Sequence, residues 1–202
     1  MRIGIFGSSM DPISMGHLVS AQEMCVRKKL DKVIFLPSSS KRTDKKPLIS
    51  DEHRWNMLQL AIEGNEKFEA SDFEMKQAAY NIFTYHTMNH FKEIYPNDDL
   101  FFMMGADLLA DLPTWRYGDQ LIAENHFIVI KRKNISMDEI MANHKILRKY
   151  EDHFEFIYKG VANDTSSSFI REEFEFGHDP RYYMPEAVYH YIKEHKLYHE
   201  NA

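Results

Sequence analysis

A single cysteine, Cys25, occurs in 202 residues, so the chain can form no internal disulfide. Cys25 shares a helical stripe with Leu18 and Ala21, the position of a small buried hydrophobe rather than a reactive thiol. No stretch approaches the roughly 18 to 20 apolar residues of a membrane span. The N-terminus lacks the basic segment and apolar region of a secretory signal, so a cytoplasmic protein with no membrane association is expected. Positive charge is also short: 25 Lys and Arg against 31 Asp and Glu leave a net charge of −6. That balance argues against broad nucleic-acid binding. It leaves small anionic ligands open to local clusters, of which Lys41-Arg42 with Lys45-Lys46 and Lys131-Arg132-Lys133 are examples. No repeat, low-complexity tract or Pro/Gly-rich linker divides the chain, so residues 1–202 are expected to form a single domain with a real core. Two common nucleotide signatures are missing as well. The glycine spacing near the N-terminus is wrong for G-x-G-x-x-G, and His17 stands where the lysine of G-x-x-x-x-G-K-[ST] belongs.

What is present begins in the first eighteen residues. Ile3, Ile5 and Phe6 form the short apolar run of a buried parallel strand. The run ends in Gly7-Ser8-Ser9, small residues that let a polyanion approach the backbone. After Asp11-Pro12, Gly16-His17 leads into a helical stripe through Leu18, Ala21 and Cys25. A strand, a small-residue loop and a helix N-terminus make an anion cradle, here with an imidazole at its edge.

Further apolar runs at Val33–Leu36, Leu100–Met104, Phe127–Ile130 and Phe154–Tyr158 read as strands, with a third strand inside Phe68–Glu74. Between them come helices: one capped by Ser50 with a Trp55, Leu58, Ile62 stripe, one burying Met88, Phe91 and Tyr95, a polar one over 134–149, and a last one with Pro185 at its first position. This alternation predicts an α/β fold, a single Rossmann-like doubly wound parallel sheet. Gly105-Ala106-Asp107 forms a small-residue turn at a strand's carboxyl end, where open α/β sheets bind ribose hydroxyls. Lys131-Arg132-Lys133 follows another strand, and Arg132 is a candidate for an acceptor's phosphate or carboxylate. Ser166, Ser167 and Ser168 open a helix with Arg171 one turn in, a set suited to phosphate oxygens. His86 and His90 stand four apart, but no glutamate completes a zinc motif beside them.

These segments resemble the nucleotidyltransferase superfamily, and within it the bacterial-type nicotinate mononucleotide adenylyltransferases. Gly7, Asp11, Pro12, Gly16 and His17 match G-x-F-D-P-x-[H/T]-x-G-H, with Ser14 in place of the first His or Thr. Phe83, Thr84 and Thr87 match S-Y-T-x-x-T, Gly105 to Trp115 matches G-A-D-x-L-x-x-L-x-x-W, and 165–171 is similar to I-S-S-T-x-I-R. The resemblance implies transfer of AMP from ATP to nicotinate mononucleotide, with Mg²⁺ entering alongside ATP. It implies catalytic roles for His17 and Ser14, and an ATP site at Gly7, Ser8, Ser9, Gly16, Gly105, Asp107, Ser166, Ser167, Ser168 and Arg171. Thr84 would hold the nicotinate end and Trp115 would stack on the pyridine, although helix capping and core packing account for the same two residues. Lys45 is the nearest match to a Pro-His-Lys element that the chain lacks. Nicotinamide mononucleotide or phosphopantetheine as acceptor, a non-catalytic nucleotide-binding paralogue, and a homodimer all remain open at this level.

Overall fold

The computed structural model describes residues 1–42, 47–161, 163 and 165–198; Lys45, Lys46 and Asp164 lie outside them. Strand β1 (Arg2–Ser8) leads through helix α1 (Met15–Arg27) to β2 (Lys32–Pro37), and α2 (Asp51–Ile62) leads to β3 (Phe68–Ala70). The chain then runs through α3 (Phe73–Lys76) and α4 (Thr84–Ile94) to β4 (Asp99–Gly105). Helix α5 (Gly118–Glu124) precedes β5 (His126–Ile130), and α6 (Met137–Asn143) with α7 (Lys145–Lys149) precedes β6 (Phe154–Ile157). Two helices, α8 (Ser167–Glu175) and α9 (Glu186–Glu194), close it. Among the described residues six strands form one parallel sheet in the order β3-β2-β1-β4-β5-β6. Among the described residues no helix is long and apolar enough to cross a membrane.

The central strands are apolar on both faces because both faces are covered. Their period-2 alternation sorts side chains into two cores. Phe6, Val33, Phe35, Phe101, Met103, Ile128 and Ile130 pack with α1, α2, α8 and α9. Ile3, Ile5, Ile34, Leu36, Phe102, Met104, Phe127 and Val129 pack with α4 to α7. Each such side chain, fully buried, contributes about 1.5–3 kcal/mol. The two borders of the sheet are short, three residues in β3 and four in β6.

Several local expectations shift. The third strand ends at Ala70, and Phe73–Lys76 turns into a short helix. The predicted 134–149 helix is two, broken at His144, whose extended backbone carries no proline or glycine as warning. Pro185 is the N-cap of α9 instead of its first helical residue. In α2 the buried face runs through Arg54, Met57, Leu58 and Ile62, and Trp55 is only half-buried.

Candidate functional site

Strand order reverses between β1 and β4, so loops leaving the carboxyl ends of these neighbours part and open a crevice. A cleft of about 510 Å³ lies there. Gly7, Ser8, Ser9, Gly16 and His17 line one wall, Gly105, Asp107 and Arg132 a second, and Ser166, Ser167, Ser168 and Arg171 a third. Three segments far apart in sequence therefore meet at one opening.

Local chemistry explains the first wall. Ser14, in extended conformation, caps α1, and its N–H donates to His17 Nδ1 at 3.1 Å in a capping box with histidine in the glutamate's usual place. Because Nδ1 accepts, the proton of the neutral ring sits on Nε2, which lies 3.1 Å from Ser8 Oγ in the cleft. The capping box thus orients the imidazole as a donor towards whatever occupies the cleft.

The third wall is stitched to the first. Ser14 Oγ donates to the Thr165 carbonyl at 2.9 Å, Ser167 Oγ to the Pro12 carbonyl at 2.7 Å, and Arg171 Nη1 to the Asp11 carbonyl at 2.6 Å. A Cβ on Gly16 would collide with the Thr165 carbonyl oxygen, so only glycine lets these chains approach so closely. The N-termini of α1 and α8 are thereby held side by side, and their dipoles add at the cleft. Arg171 Nη2 also donates to Ser168 Oγ at 3.3 Å, and Ser166 caps α8 by accepting from the Phe169 N–H.

Beneath this wall Asp11 is 2% exposed. Its carboxylate accepts from the Leu48 N–H at 2.5 Å and from the Tyr198 hydroxyl at 2.6 Å. Burial first, and then the Asp11 carboxylate, push the Tyr198 phenol up from its usual range, against the opposing pull of Arg171 and Arg54.

On the second wall, Asp107 Oδ1 lies 3.5 Å from Arg132 Nε, and Arg132 Nη1 donates to Ser20 Oγ at 3.2 Å. A Cβ at Gly105 would crowd both side chains. Asp107 remains half-exposed to the opening.

Four expected residues sit differently from their sequence-based roles. Ser14 is fully buried with its hydroxyl committed to Thr165, so it meets the cleft only through His17. The Ser167 hydroxyl is turned to Pro12, which leaves its backbone as the part offered to a ligand. Thr84 does not cap α4, because Phe83 is the N-cap and no side-chain hydrogen bond closes that end. Arg132 stands with Asp107 on the second wall of the cleft, apart from the pyridine candidates Thr84 and Trp115, which are not in its lining. Those two flank an aromatic shelf outside the main cleft lining. Trp115 meets Phe102 edge-to-face with ring centroids 6.1 Å apart, and Phe102 in turn packs beneath Gly7. Tyr117 contacts Phe83 and His86, bringing the start of α4 against the 115–117 turn. Lys41, from the basic loop after β2, points away and donates to the Met75 and Gln77 carbonyls.

Two residues that sequence reasoning missed are Arg54 and Tyr198, both buried and both tied to the 9–11 stretch that lines the cleft. A charged residue in register with Met57 and Leu58 on an apolar face was the available signal for Arg54.

Known proteins share this sequence and fold. Residues 5–173 match the cytidylyltransferase-like family. A probable nicotinate-nucleotide adenylyltransferase of Clostridium tetani is 39% identical over 196 residues, covering 96% of this chain and 97% of its own. One from Carboxydothermus hydrogenoformans is 32% identical, with 98% of each chain covered. Among solved structures, Plasmodium falciparum nicotinic acid mononucleotide adenylyltransferase complexed with NaAD superposes with a TM-score of 0.80 at 27% identity, covering 98% of this chain and 97% of that one.

Proposed function

The chain belongs to the cytidylyltransferase-like family and, within it, to the nicotinate-nucleotide adenylyltransferases; from that premise we propose how its own residues carry the reaction. The enzyme transfers AMP from ATP to nicotinate mononucleotide, giving nicotinate adenine dinucleotide and pyrophosphate, in NAD biosynthesis. In the proposed mechanism the acceptor phosphate attacks the ATP α-phosphorus in line. Such a step requires positioning and charge neutralisation and no protein nucleophile. His17 Nε2–H donates to a phosphate oxygen as charge builds there, and Ser14 holds the ring in that orientation. Arg171, Ser166, Ser168 and the first-turn N–H groups of α8 retain the departing pyrophosphate. Asp107 meets a ribose hydroxyl, Trp115 stacks on the pyridine ring, and Thr84 lies at its carboxylate end.

The donor set suits a metal brought in by the triphosphate. The cleft offers hydroxyls, amides and cations, and of the two carboxylates lining it among the described residues Asp11 is already engaged by Leu48 and Tyr198. When bound, Mg²⁺ would add charge neutralisation at the phosphates, held mostly by their oxygens and water. The cytoplasm is the proposed setting.

The observation that carries this reading is the convergence of residues 7–17, 105–107 and 166–171 on one cleft. Pyrophosphate release from Mg-ATP, followed in parallel with nicotinate mononucleotide, nicotinamide mononucleotide and phosphopantetheine, tests it. Release is expected to be fastest with nicotinate mononucleotide, and its absence with that acceptor would refute the assignment.

A further inference from the structure

Arg54 is the largest fully buried side chain in the described protein, with no exposure at all. It lies on α2, outside the cleft lining. Its Nη1 donates to the Ser9 carbonyl at 2.6 Å and its Nη2 to Asp51 Oδ1 at 2.6 Å. Nε has no hydrogen-bond partner among the described residues. The same Asp51 oxygen accepts from the Ser40 N–H at 2.9 Å, and the Ser38 N–H donates to the Ser8 carbonyl at 2.9 Å. One guanidinium therefore joins the loop after β1 to the loop after β2 from behind.

Stability is a poor reason for this arrangement. A buried arginine with one donor unsatisfied carries a desolvation cost, and an apolar residue of similar volume commonly does as well or better. What only the guanidinium fork supplies here is two donors in fixed relation, one for a backbone carbonyl and one for a carboxylate. The carbonyl belongs to Ser9, next to the Ser8 hydroxyl that lies 3.1 Å from His17 Nε2.

We propose that Arg54 is a positioning residue for the adenylyl transfer, setting the Ser8-Ser9 backbone against His17 by clamping the Ser9 carbonyl to Asp51. The proposal rests on the activity assigned above. It goes beyond that reading by giving a functional task to a residue that touches no substrate.

The test compares Arg54→Met and Arg54→Lys with the unmodified enzyme. Backbone hydrogen exchange over residues 8–11 is measured without ligand, and thermal midpoint, kcat and both KM values are measured by pyrophosphate release. Arg54→Met should fold with a similar midpoint, and exchange at 8–11 should rise about tenfold while that of β4 and β5 holds. A small misplacement of a catalytic loop then lowers kcat/KM for Mg-ATP by about ten- to a hundredfold, with KM for nicotinate mononucleotide within about twofold. Arg54→Lys should recover part of the loss, because an ammonium can still reach one acceptor. Unchanged exchange at 8–11 in folded Arg54→Met overturns the proposal. So does a uniform fall of activity that merely tracks the folded fraction. If Arg54→Met does not fold, Asp51→Ala takes its place: a smaller fall in kcat/KM for Mg-ATP supports the clamp, and an unchanged value refutes it. Were the unmodified protein to release no pyrophosphate, the functional assignment would fail, while the exchange comparison would still decide the role of Arg54.

Discussion

The wall we assign to ATP and the shelf we assign to the pyridine are neighbours built on different principles. The ATP wall consists of glycines, hydroxyls and helix N-termini, locked by hydrogen bonds between residues more than a hundred positions apart. The shelf assigned to the pyridine consists of rings in contact: Tyr117 with Phe83 and His86, and Trp115 edge-on to Phe102. Backbone placement decides the first, and side-chain volume decides the second. A phosphate must be met by donors fixed in advance, since reorganising them during the reaction costs rate. A flat aromatic ligand needs only a surface of the right shape.

Substitutions can break or sharpen that contrast. His17→Ala removes the donor aimed into the cleft and should lower kcat by about 10²–10³-fold with the fold intact, read from initial rates and circular dichroism. An unchanged kcat would take His17 out of the mechanism and weaken the case for a preset donor wall. Gly16→Ala should rank next. Its methyl group would force α8 away from α1, and a displacement near 1 Å is worth about a hundredfold in kcat, alongside about 1–3 kcal/mol of stability lost to overpacking. If Gly16→Ala alters only KM for nicotinate mononucleotide, the two regions are not separate. Trp115→Ala should raise that KM about tenfold at most, the scale of one aromatic contact, and leave KM for ATP alone, while Trp115→Phe should retain most of the binding. A rise in both KM values would show that the shelf supports the ATP wall.

The smallest effect is expected at the opposite end of the sheet. Burial, and next the neighbouring His153, lower the pKa of His126, while Asp152, Asp99 and Glu155 pull it the other way. The unfolded ring takes up its proton near pH 6.5, and the folded ring resists until lower pH. Its share of stability is therefore fully present above that range and declines as pH falls towards the folded pKa. His126→Gln should flatten the dependence of the thermal midpoint between about pH 7 and 5 without changing the rate at pH 7. A changed rate there would mean that the far end of β5 couples to the cleft.

How much of this was legible beforehand depended on how local the signal was. Ile3, Ile5 and Phe6 followed by Gly7 give a strand and a loop within a few residues, and Gly16-His17 ahead of Leu18, Ala21 and Cys25 marks a helix start within one turn. The cleft wall is made of such strand ends and helix starts, so residues that line it could be named individually. Arg54 and Tyr198 could not, because their partners Ser9 and Asp11 lie 45 and 187 residues away and leave no periodic trace. Choosing the phase of α2 by apolarity alone favoured Trp55 and hid the buried arginine one position earlier. Ser14 and Ser167 were recognised as hydroxyls near phosphate. Where each hydroxyl proton goes depends on the Thr165 and Pro12 carbonyls, which only the assembled fold brings into reach.

The shortness of the outer strands bears on what the sheet's margins offer to another chain. A bordering strand with a long bare run of amides invites another chain to extend the ladder and seed fibrils. Here β3 offers three residues, with Glu69 bound to Lys32, and β6 offers four, with Glu155 bound to Arg2. An incoming strand would find few amides to pair with at either margin, while the crevice stays open at the strands' carboxyl ends.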